Sequence, residues 1–150
     1  MKNDLIDDLD IAILHDRFPQ IGGGELVALE SARVLDAPIY TMYVASGVSI
    51  PTDVKVISLQ QKKYTGRVSK RGLGWKSGGM NPLEPVSVMV DMAGAESLHD
   101  YDVIFGSGPL AKSYVPKPHQ TVINYPHSPP RWLYDQYTER LKSFNIPGVA

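Results

Sequence analysis

Short runs of β-forming residues alternate with runs of helical period along this chain, and that alternation narrows the fold more than any other feature. Asp10-Ile-Ala-Ile-Leu-His15 is a nearly continuous apolar segment, the pattern of a central strand covered on both faces. Within residues 25–35, Leu26, Leu29, Ala32 and Val34, with Val27 and Leu35 beside them, form a broad helical stripe that Asp36-Ala-Pro38 ends. Strand patterns follow over residues 38–44 and, after the turn at Pro51-Thr-Asp53, over residues 54–59. A helical period spans residues 86–98, strands are expected over 102–105 and 120–125, and a last helix over 132–144. Strands joined by helices wind into right-handed β-α-β units. The expected fold class is therefore α/β, a Rossmann-like three-layer domain with a mainly parallel sheet.

A chain of 150 residues suits one domain, here 1–150, with residues 60–82 as an inserted basic loop. The formal net charge of −1 gives no global pull toward nucleic acid. The absence of cysteine excludes a disulfide framework and cysteine-ligated metal. Met-Lys-Asn-Asp-Leu-Ile-Asp-Asp opens the chain with acid where a secretion signal is basic and then apolar, and no apolar run approaches the roughly 20 residues of a membrane span. These features predict a cytoplasmic protein, at most peripheral to the inner face of the membrane.

Ligands of open parallel sheets bind at the carboxyl ends of the strands. Three unusual loops belong there: residues 15–25, Phe105-Gly-Ser-Gly-Pro109 and Tyr125-Pro-His-Ser-Pro-Pro-Arg131. In the first, Ile21-Gly-Gly-Gly-Glu25 opens a helix. Glycines there let backbone come close to a ligand, and the exposed N–H groups and dipole of the first turn favour an anion such as a diphosphate. A tight strand-to-helix turn without a ligand would read the same way. Two common phosphate motifs are excluded. Gly22-Gly-Gly-Glu-Leu-Val27 breaks the G-x-G-x-x-G spacing and Val44-Ala-Ser46 supplies no carboxylate for a ribose, so NAD is not expected; nor does a G-K-[ST] ending follow, as a P-loop needs.

Taken together, Asp10-Ile-Ala-Ile-Leu-His-Asp16, Gly22-Gly-Gly-Glu25 at a helix start, and Asn124-Tyr-Pro-His-Ser-Pro-Pro-Arg-Trp-Leu-Tyr-Asp135 resemble the N-terminal domain of family-4 retaining glycosyltransferases of the GT-B fold, over roughly residues 10–137. The resemblance implies a domain that receives a glycan or lipid-linked acceptor while a second, C-terminal domain grips a nucleotide sugar, which is a co-substrate; no cofactor is implied. It further implies that Gly23 and Gly24, with Gly22 before them, lie against the donor diphosphate, that Glu25 is the acidic residue following that loop, and that His127 is the catalytic-site histidine contacting the transferred sugar. The donor domain is not among these 150 residues and is expected either further along the same reading frame or from a separate chain, and the 150 residues alone are expected to transfer no sugar. Glycosyl transfer develops positive charge on the sugar and negative charge on the departing phosphate, which hydrogen-bond donors aimed at the phosphate stabilise.

Each remaining candidate has two readings. His127 lies between prolines and is either a site residue or a satisfied turn residue. His15 and Asp16 either touch acceptor hydroxyls or hydrogen-bond the glycine turn. Gly106-Ser107-Gly108 is a second backbone approach point, with Ser107 and Gly108 as substrate-binding candidates, or an ordinary turn. Arg131 either holds an anion or lies in water. Asp8-Leu-Asp10 has metal-binding spacing but precedes the first strand, at the wrong end of the sheet, so no metal is expected. Lys62, Lys63, Arg67, Lys70, Arg71 and Lys76 are interleaved with Tyr64, Leu73 and Trp75 and without acid. No motif frames them for nucleic acid, and they suit a phosphorylated lipid acceptor or an anionic membrane, unless they are a solvated loop. This segment predicts weak binding to anionic vesicles that declines as salt rises, by screening within about 8 Å; equal binding to neutral vesicles contradicts it. Two functions are expected to compete: the acceptor half of a hexose-transferring enzyme, and a non-catalytic accessory module that kept the fold and its ligand site.

Overall fold

The computed structural model describes residues 8–59 and 84–127. Its elements run β1 (Ile11–His15), α1 (Gly23–Leu35), β2 (Ile39–Thr41), β3 (Val56–Ser58), α2 (Glu84–Ala93), β4 (Val103–Ser107) and β5 (Thr121–Tyr125), with 3-10 turns at Glu96–Leu98 and Ala111–Ser113. The strands form one five-stranded sheet in the order β3-β2-β1-β4-β5. Every pairing is parallel, so the fold is an α/β Rossmann-like one.

The strand order follows from alternation and chirality. Along β1, Ala12 and Leu14 point to one face and Ile13 to the other, and all three are fully buried, as a strand covered on both sides requires. One face holds Ala12, Leu14, Tyr40 and Ile104 beneath Val88 and Met92 of α2. The other holds Ile13, Ile39 and Phe18 beneath Ala28, Leu29 and Ala32 of α1. The chain winds outward from β1 to β2 and β3, then returns through α2 to β4 and on to β5. Right-handed crossovers in opposite directions put α1 and α2 on opposite faces. Between β1 and β4 the winding reverses, the point at which ligands of open parallel sheets generally bind.

Several boundaries differ from the expected ones. α1 begins at Gly23, two residues earlier than the apolar stripe indicates, because the Glu25 carboxylate accepts a hydrogen bond from the Gly22 N–H (3.0 Å) and caps the helix start. It ends on Asp36 with φ of 50°, whose successor Ala37 donates its N–H to the Ala32 carbonyl. β2 stops at Thr41, and Val44 instead makes an isolated parallel bridge with Phe18. β4 continues through Gly106 to Ser107, since β1 and β5 pair with it on both sides along its whole length. The expected helix at 86–98 is α2 plus a 3-10 turn. Between β4 and β5 the only regular element is the 3-10 turn at Ala111–Ser113. The helix expected at 132–144 and the basic segment 60–82 lie outside the described residues.

Candidate functional site

At the carboxyl ends, His15 of β1 is registered with Ser107 of β4, and Ser107 with Tyr125 of β5. That register gathers the residues following all three strands at one point: His15-Asp16, Ser107-Gly108 and His127, with the α1 N-terminus beside them.

His15 is buried, and its Nδ1 lies 2.8 Å from the Ser107 carbonyl oxygen and 3.2 Å from Ser107 Oγ. A carbonyl only accepts, so Nδ1 carries the proton. His15 Nε2 is buried without a hydrogen-bond partner. Burial lowers the pKa of this imidazole, against the opposing pull of Glu25 and the Ser107 carbonyl, so His15 is neutral at pH 7. Ser107 Oγ lies 2.9 Å from His127 Nε2. The His127 ring meets Tyr125 edge-on at 4.9 Å between centroids and His15 at 6.4 Å. Its φ of 58° is uncommon for a non-glycine residue, and these contacts hold it there.

Asp16 is spent on architecture. Its Oδ1 accepts the Ala111 N–H at 2.8 Å, and both carboxylate oxygens lie 3.1 Å from the Leu110 N. It thereby ties the loop after β1 to the 3-10 turn after β4. Burial pushes its pKa up to about 6, although the two N–H groups pull the other way. Gly108 makes room for it: φ is +122°, and a Cβ at this position would lie 2.7 Å from Asp16 Cγ. The His15 and Asp16 side chains are thus engaged with the end of β4 and the turn after it, and the glycine turn is capped by Glu25 instead. Ser107, with no exposed surface, reaches a ligand only through its neighbours.

The three glycines at the head of α1 serve different ends. A Cβ on Gly22 would lie 3.0 Å from Glu25 Oε2, so glycine here lets the carboxylate reach the N–H it caps. A Cβ on Gly23 would meet nothing within 4 Å. One on Gly24 would make ordinary contact, 3.8 Å, with the His127 ring. None of the three has positive φ. The first helical bond runs from Leu26 N–H to the Gly22 carbonyl, so the N–H groups of Gly23, Gly24 and Glu25 lack intrahelical acceptors. The backbone at 23 and 24 is therefore left bare without the fold requiring it, beside the half-buried edge of His127.

Arg131, a sequence candidate, lies outside the described residues. Among the described residues no three His, Cys, Asp or Glu side chains cluster to hold a metal, and no helix is long and apolar enough to cross a membrane. Asp8 and Asp10 precede β1, at the opposite end of the sheet. A groove of about 470 Å³ is lined by Leu26, Val27, Val34 and Leu35 of α1 and Phe105 of β4. Sequence alone does not reveal the linking role of Ser107, which reads there as one more residue of a glycine loop. No protein-family model, curated protein or solved structure matches this chain.

Proposed function

We propose that this domain is the acceptor half of a retaining glycosyltransferase of the GT-B type, acting in the cytoplasm with a donor-binding half, and transferring a hexose from a nucleotide sugar to a glycan or lipid-linked acceptor. The observation that carries the reading is the bare α1 N-terminus: two glycines that neither φ nor packing demands, under a histidine held at the end of β5. Unpaired N–H groups and the helix dipole suit a diphosphate. Glu25 supplies the opposite chemistry, an acceptor for sugar hydroxyls, while its carboxylate charge sets a limit on how tightly an anion is held. His127, whose ring lies beside Gly24, is the candidate for contact with the transferred sugar.

The test is Gly23→Ala. Glycine within a helix costs about 1 kcal/mol relative to alanine, less near the end, so the variant should be as stable as the parent or more so. With the donor-binding half supplied, transfer from a panel of nucleotide sugars should fall at least several-fold because the new methyl group stands where the phosphate approaches. Equal transfer by the folded variant and the parent contradicts the reading.

A further inference from the structure

His15, Ser107 and His127 form a hydrogen-bonded series whose proton positions follow from the partners available. Ser107 Oγ has no exposed surface, and its hydroxyl hydrogen needs an acceptor. The neighbouring His15 nitrogen cannot serve, because His15 Nδ1 donates to the Ser107 carbonyl. Among the described residues the acceptor within reach is His127 Nε2, at 2.9 Å. The reverse arrangement, His127 Nε2–H donating to Oγ, would strand the serine hydroxyl hydrogen in the interior.

From this we infer that Ser107 is a positioning residue that holds neutral His127 as the Nδ1–H tautomer, so that the Nε2 edge facing Gly24 has no free lone pair to act as a base toward anything bound there. The His127 lone pair on Nε2 is committed to Ser107. The ring's remaining polar atom is Nδ1, which offers N–H. A ligand group meeting His127 at Nδ1 must then be an acceptor: a hydroxyl lone pair of a sugar or a phosphate oxygen. Proton abstraction from an acceptor hydroxyl falls to another group. The tautomer is a property of the free chain, whereas its consequence for a ligand rests on the function proposed above.

The experiment is nitrogen-15 detection of the histidine ring nitrogens in the full chain at pH 8, where imidazoles are neutral. Nε2 of His127 should show the signature of an unprotonated nitrogen and Nδ1 that of a protonated one. In Ser107→Ala, His127 should shift toward the Nε2–H tautomer that free histidine favours, while His15 keeps its proton on Nδ1, since its acceptor is a backbone carbonyl. Ser107→Thr should restore the parent pattern. Protonated Nε2 on His127 in the parent, or a Ser107→Ala spectrum with His127 unchanged, overturns the inference. Titration with inorganic pyrophosphate in the same samples separates the two claims. The parent tautomer pattern without pyrophosphate shifts at Gly23 and Gly24 leaves the positioning role standing and removes the diphosphate site; the converse does the opposite.

Discussion

Substituting alanine for Gly108 is expected to destabilise the protein by about 3 to 5 kcal/mol, among the largest effects a single methyl group can have. Two costs combine. The backbone at Gly108 has φ of +122°, a region that side chains rarely adopt, which is worth about 1 to 3 kcal/mol. The added Cβ would also lie 2.7 Å from Asp16 Cγ and 2.9 Å from Oδ2, and Asp16 cannot withdraw without giving up the Leu110 and Ala111 N–H groups. Gly47 is the control, with φ of +91° and nothing within 4 Å of its notional Cβ. Gly47→Ala should show the backbone cost alone. Denaturant midpoints measured for both variants check the argument, and equal losses would mean that Asp16 does not crowd this position.

Asp16 itself makes the second large effect, one that depends on pH. Its folded pKa of about 6 lies above the ordinary 3.8, so the folded state binds a proton more readily than the unfolded state. The resulting stabilisation is fully present below pH 3.8 and is lost as pH rises through 6. Two units correspond to roughly 3 kcal/mol. The stability of the parent minus that of Asp16→Asn should therefore fall by about 2 to 3 kcal/mol between roughly pH 4 and pH 7.5. His15 acts in the opposite sense. Its lowered pKa means that stability present above about pH 6.5 is lost on acidification. In Asp16→Asn that loss is no longer offset, so the variant should weaken steadily below about pH 6.5. Parallel pH profiles for parent and variant would show that Asp16 titrates normally.

How far these features could be read from the sequence depends on the range of the forces that set them. The apolar run ending at His15 and the stripe from Leu26 to Leu35 reveal β1 and α1, because burial on both faces of a strand and on one side of a helix leaves a local pattern. Element ends are less legible. Gly23 and Gly24 are poor helix formers, yet they are helical because Glu25 caps them and Leu26 closes the first turn. Gly106 reads as a loop residue, yet lies in a strand because parallel neighbours on both sides supply its partners. The site is legible only as a gathering of loops. Its working contacts join residues 15, 107 and 127, and Asp16 joins Leu110 and Ala111. Those partners are about 90 or 20 positions apart, and no spacing rule links them. The distinct reasons for Gly22, Gly23 and Gly24 likewise depend on what surrounds each one in space.

If the head of α1, beneath His127, receives the diphosphate and sugar of a nucleotide sugar, the amides there must respond when a donor is added. The most direct measurement is an amide chemical-shift titration of the full chain, with the donor-binding half supplied unlabelled, against a panel of nucleotide sugars. For at least one donor, saturable shifts are expected, concentrated at Gly23, Gly24, Glu25 and His127, with the amino ends of β1 and β4 unmoved. A folded chain whose amides at these four positions stay in place with every donor, or whose shifts gather at the opposite end of the sheet, would contradict the proposed site.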